Sequence, residues 1–124
     1  MIIELPFDTP SKKNSRVTDT RTGRTFPNKK FVEWHRKAAL WLRSNFSLEC
    51  FGDSAVKVRM AFTHGSNIRC DSDNKVSSVL DLLVDLHVID DDRWQIVRKI
   101  EVENFYSKGN PSCRVEIERY EEIS

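Results

Sequence analysis

The sequence predicts an α+β fold: a single domain over residues 1–124 in which a small mixed sheet of about four strands packs with two helices. Three observations carry this. At 124 residues the chain is long enough for one sizeable core and too short for two. Segments with apolar residues at every second position occur near both ends and in the middle, which is a strand pattern. Between them lie two longer stretches whose apolar residues recur at helical spacing.

In chain order, Ile3, Leu5 and Phe7 alternate with polar positions in a first strand, which Pro10 ends. A basic loop follows. Asn28 is placed to cap a helix running to about Phe46, because Phe31, Trp34, Ala38, Trp41 and Leu42 then share one face. Trp34 and Trp41 read as core residues. In "AVKVRMAF", Val56, Val58, Met60 and Phe62 face one way and Lys57 and Arg59 the other, as in a half-buried strand. After the loop "THGSNIRC", the residues Val76, Val79, Leu80, Leu83 and Leu86 form the stripe of a second helix from Asp73 to about His87. Trp94, Ile96, Ile100 and Val102 fall on one face of a longer strand, with Trp94 and Phe105 read as packed. "SKGNPS" then turns the chain into a last strand holding Val115 and Ile117.

Composition narrows the functional classes. Hydrophobic residues at 39% and charged residues at 31% are globular values, and no window has the apolar length of a bilayer span. "MIIELPFDTP" lacks a basic n-region and a long apolar stretch, so it reads as a strand and the expected location is the cytoplasm. Cys50, Cys70 and Cys113 form neither a CxxC pair nor an even set, which argues against a disulfide framework or a zinc site.

The net charge of +1 conceals a polarised chain. Residues 1–62 carry 12 Lys and Arg against 6 Asp and Glu, and residues 63–124 carry 8 against 13. The basic excess is densest in "SKKNSRVTDTRTGRTFPNKK", where Lys12, Lys13, Asn14, Arg16, Arg21, Arg24, Lys29 and Lys30 mingle with Ser and Thr. Charge mixed with small hydroxyl and amide donors suits a phosphate backbone, so these are the candidate DNA-binding residues, and a solvated loop is the alternative.

The acidic side concentrates in "CDSDNKVSSVLDLLVDLHVIDDD". Asp71 and Asp73 stand at a helix N-terminus, where one carboxylate is explained by capping and the dipole. Two on one turn, with Asp90, Asp91 and Asp92 just beyond the same helix, exceed that requirement. A calcium loop is excluded because Val76 and Leu82 occupy the places that need Gly and Glu. Mg²⁺ needs only a few carboxylates, with waters and substrate phosphate completing the shell. For the two clusters to meet, the chain after Ile89 must fold back along the sheet; otherwise they serve separate purposes.

The stretch "DSDNKVSSVLDLLVDLHVIDDDRWQI" resembles the signature of the RusA family of Holliday junction resolvases: D-x-D-N, a helix with a further Asp, then an Asp-Asp pair. "PSKKNSR" and Gly23-Arg24 are similar to the family's N-terminal pattern. The resemblance implies a RusA-like fold and a Mg²⁺-dependent endodeoxyribonuclease, Mn²⁺ being an alternative ion, that resolves four-way junctions in DNA recombination and repair. It implies Asp71, Asp73 and Asp92 as catalytic, with Asp91 beside them on the metal. The family lysine falls on Ser77 here, so Lys75, the nearest lysine, is the candidate catalytic cation, with Lys12, Lys13 and Lys99 as alternatives. His87 replaces the glycine usual before the last motif, which suggests a different turn.

Paired symmetric nicks imply a C2 homodimer acting on branched DNA. Such genes are often phage-borne, so a bacterial or phage-infected cell is the expected setting. Two other classes stay open: a metal-dependent nuclease for other branched DNA, and a catalytically weak protein that binds junctions without cutting.

Overall fold

The computed structural model describes residues 1–11, 16–18, 21–23, 25–27, 29–67 and 72–121, and the side chains of 16–18, 25–27 and 72–74 lie outside that description. Its elements are β1 (Ile2–Leu5), β2 (Arg16–Thr18), β3 (Thr25–Pro27), α1 (Lys29–Asn45), β4 (Val56–His64), α2 (Ser72–Asp85), β5 (Val97–Tyr106) and β6 (Ser112–Arg119). Four strands form a mixed sheet in the order β1-β6-β4-β5. Only β4 and β5 run parallel, joined through α2 as a crossover. The expected α+β layout is therefore present.

Alternation decides which sheet face is buried. Val56, Val58, Met60 and Phe62 of β4, Cys113, Val115 and Ile117 of β6, and Ile3 and Leu5 of β1 all point toward the helices. There they meet Phe31, Trp34, Ala38 and Leu42 of α1 and Val79, Leu80, Leu82, Leu83 and Leu86 of α2. Burial pushes the Cys113 thiol up to about 12, since a thiolate there would be stripped of water. The opposite face carries a charge mosaic in which Arg59 Nε donates to Glu101 at 2.8 Å, with Lys57 and Lys99 Nζ at 3.5 and 3.3 Å from the same carboxylate. The Arg59 hydrogen bond, aided by Lys99, holds the Glu101 carboxyl at about 2.

Four expectations need correction. The basic segment is not all loop: β2 and β3 pair antiparallel, Arg16 opposite Pro27 and Thr18 opposite Thr25, around a turn in which Gly23 has φ +70°. The strand read from Trp94 begins at Val97; Ile96 is buried, but a turn closed by Ile96 N–H and Val97 N–H to the Arg93 carbonyl leaves Trp94 outside, 69% exposed. Phe105 is likewise exposed, because it lies on the open sheet face. Trp41 borders solvent at 37%, its indole N–H donating to the Glu4 carbonyl at 2.9 Å, so it straps α1 to β1 instead of filling the core. The proposed cap Asn28 lies outside the described residues.

Candidate active site

The helix α2 organises the acidic residues. Asp73 falls in its first turn, and Asp71 lies outside the described residues just before it. Unpaired N–H groups and the helix dipole favour carboxylates at that end. The same turns grip the N-terminal segment from the side. Lys75, 5% exposed, donates from Nζ to Asp8 Oδ1 at 3.0 Å, and Ser78 Oγ donates to the Pro10 carbonyl at 2.7 Å. Residues three apart share a helix face, so this pair clasps Asp8–Pro10 at the root of the basic segment. The ammonium of Lys75 is thus engaged by Asp8, while Ser77, at the position of the family lysine, is exposed.

The other end of α2 is closed by backbone. Leu86 N–H and Val88 N–H return to the carbonyls of Leu82 and Leu83, and His87 takes φ 59°. That is the left-handed conformation a glycine adopts freely, so His87 preserves the glycine-type turn. Phe51 N–H then donates to the Val88 carbonyl at 2.8 Å and Asp90 N–H to the Gly52 carbonyl at 3.0 Å. These bonds fasten residues 88–90 beside the start of β4. Next, Asp91 Oδ1 accepts from Asp92 N–H at 2.9 Å, Arg93 stands 3.6 Å from Asp91, and Asp92 is exposed.

The chain after Ile89 does run back along the sheet, as β5 parallel to β4, but only from Val97, so residues 90–92 stay where β4 begins. Asp73 and Asp85 are separated by twelve residues of helix, about 18 Å. The acidic run beyond Asp85 is tied to the entry of β4, whereas Asp73 lies at the end of α2 that follows the exit of β4. The backbone of one chain thus sets residues 91–92 and residue 73 at opposite ends of α2.

Among the described residues, one His and two carboxylates do converge. His35 Nε2 lies 2.5 Å from Asp85 Oδ2 and its Nδ1 3.7 Å from Asp81 Oδ2. Only Nε2 is hydrogen-bonded, to Asp85, while the buried Nδ1 has no hydrogen-bond partner among the described residues, so the imidazole links α1 to α2 through Asp85. The sequence reading missed this pairing because His35 and Asp85 are 50 residues apart.

On the basic side, Arg21 is exposed in the hairpin turn, and Lys29 and Lys30 open α1, with Lys29 3.7 Å from Glu33. Cations at a helix N-terminus oppose its dipole, so their presence strengthens an end already suited to anions. Arg16 lies in β2, while Lys12, Lys13, Asn14 and Arg24 lie outside the described residues. Lys99, an alternative cation, is bound to Glu101 on the open sheet face. No helix among the described residues is long and apolar enough to cross a membrane.

A family model described as Endodeoxyribonuclease RusA matches residues 6–118, nearly the whole chain. No curated protein matches the chain.

Proposed function

The chain belongs to the RusA family of endodeoxyribonucleases, enzymes that hydrolyse DNA phosphodiester bonds, and on that premise we propose that it resolves four-way junctions by paired, Mg²⁺-dependent nicks. The observation that carries the finer reading is the separation of the two acidic groups by the length of α2. An acidic pair at one end of a helix and an acidic run beyond the other make two halves of an oxygen-donor site. A second copy related by a twofold axis supplies the missing half, the partner's Asp91 and Asp92 meeting Asp71 and Asp73. A substrate with two symmetric strands to cut suits a C2 pair with two such sites.

The donor set fits the ion. Carboxylates alone match a hard cation such as Mg²⁺ or Mn²⁺, and the exposed Asp92 is open to a phosphate. Bound there, the ion supplies Lewis-acid polarisation of the phosphate and a more acidic water. The chain's own residues do the rest. The hairpin and the Lys29–Lys30 end of α1 attract the backbone without reading bases. The Lys75 and Ser78 clasp holds the root of that segment on the carboxylate end of α2. Lys75 acts as a positioning residue, and the exposed Arg93, beside Asp91, is the cation available to developing phosphoryl charge.

Complementation tests the reading. Asp73→Asn and Asp92→Asn each fail to nick a labelled four-way junction in Mg²⁺. Mixed and allowed to exchange subunits, they regain nicking, because one of the two composite sites is then intact. No recovery in the mixture, with both variants folded and dimeric, refutes a site shared between copies. Cleavage of linear duplex as fast as the junction refutes the structure selectivity.

A further inference from the structure

The link between α1 and α2 leaves one buried atom without a partner. The His35 ring packs against Phe31 and Trp34, with centroids 5.8 and 6.3 Å away, and its Nδ1 is buried with no hydrogen bond among the described residues. A carboxylate only accepts, so the contact with Asp85 makes Nε2 the donor. Asp81 Oδ2, at 3.7 Å, is the acid facing Nδ1 and lies beyond hydrogen-bond reach. In a neutral ring the Nδ1 lone pair therefore meets a carboxylate, and in a charged ring an N–H lacks its acceptor. Each state leaves a buried polar atom unsatisfied, which folded proteins seldom keep without a purpose.

We infer that His35 Nδ1 and Asp81 bind a Zn²⁺-type transition-metal ion, with Asp85 orienting the imidazole from its other nitrogen. The three side chains offer ligand atoms that all lie within 4.8 Å of one another. Zinc bonds to imidazole nitrogen and to carboxylate oxygen are each about 2.1 Å, so one ion can span the 3.7 Å between Nδ1 and Asp81. A carboxylate on the far ring nitrogen is the usual support of a metal-bound histidine: it fixes the tautomer and makes the ligating nitrogen a better donor. Asp81 and Asp85 stand one helical turn apart on α2, so both reach the same ring. Their side chains are 35% and 63% exposed, which lets water complete the coordination.

The donor set separates this site from the acidic groups beyond the ends of α2. Those offer oxygen alone and suit Mg²⁺, whereas an imidazole favours Zn²⁺, Co²⁺ or Ni²⁺. An ion held here clips α1, which begins with Lys29 and Lys30, to the C-terminal half of α2, so the packing of the two helices tightens with occupancy. The site stands whether or not the chain cuts junctions.

Zinc titration of the EDTA-stripped protein tests the site, in an Asp73→Asn, Asp92→Asn background so that the acids assigned to Mg²⁺ do not compete. Long-range proton–nitrogen correlation spectra of the imidazoles report which ring nitrogen is ligated. Zn²⁺ is expected to move the His35 Nδ1 resonance while Nε2 keeps its proton, and to raise Tm in proportion to its concentration; Mg²⁺ at the same concentration leaves the resonance in place. Asp81→Asn and Asp85→Asn each weaken zinc binding by about tenfold or more, the first by losing a ligand and the second by losing its support. His35→Gln abolishes the Tm response, and Asp81→Asn, which keeps the tie between His35 and Asp85, serves in its place if that variant does not fold. A His35 Nδ1 resonance that Zn²⁺ does not move, ligation through Nε2, or an affinity unchanged in Asp81→Asn overturns the proposal.

Discussion

The two ends of α2 are both acidic, yet they are built on different principles. At the N-terminal end the dipole favours carboxylates and side chains fasten the helix, Lys75 to Asp8 and Ser78 to Pro10. At the C-terminal end the dipole disfavours the acids, the last turn contains no basic residue, and the anchoring is by backbone bonds to Phe51 and Gly52. Ordinary helix electrostatics favours an acid at the first end and opposes acids at the second. His35 relieves Asp85, but Asp90, Asp91 and Asp92 have only Arg93 close by, 3.6 Å from Asp91, among the described residues. Acids retained against the local field are the stronger functional signal.

Neutralising Asp92 while sparing Asp85 tests this contrast most severely. Asp92→Asn is expected to lower junction nicking by at least about 100-fold, while Asp85→Asn, outside the proposed metal set, leaves it near wild type in the same assay. At the other end, Lys75→Met is expected to destabilise the fold by about 1–2 kcal/mol in urea unfolding, through loss of a buried charged hydrogen bond. Asp8→Ala removes the same tie, so the double variant costs little more than Lys75→Met alone. Were Lys75 the cation of the reaction, Lys75→Met would depress turnover and Asp8→Ala would not. His35→Ala, which removes the bridge between α1 and α2, is expected to cost about 1 kcal/mol in the same measurement. The smallest effect is at the turn: His87→Gly relieves the left-handed strain and raises stability by less than about 1 kcal/mol, read as a rise in Tm.

Much of the fold was legible because apolar period and burial coincide. Val56, Val58, Met60 and Phe62, and the stripe from Val79 to Leu86, lie where their spacing puts them. The errors fall where an element is only partly covered. Trp94 and Ile100 have the alternation of a half-buried strand, but β5 is a sheet edge, and alternation cannot tell an edge from a centre. The acidic residues were legible one by one from their spacing and family pattern. Their separation was not, since it depends on hydrogen bonds from 88–90 to 51–52, which no local pattern encodes. The bond between Lys75 and Asp8 spans 67 residues and escaped for the same reason.

The pairing of β1 with β6 joins the beginning of the chain to its end, Ile2 opposite Glu116 and Leu5 opposite Cys113. A contact between residues so distant in sequence closes a loop of nearly the whole chain, and its entropy is recovered only once the intervening structure exists. The unit β4-α2-β5 needs no such closure, so the crossover that carries the acidic residues assembles before β1 docks. Refolding is then expected to show α2 and the parallel pair protected from hydrogen exchange early, and β1 protected last, with the final rate set by topology.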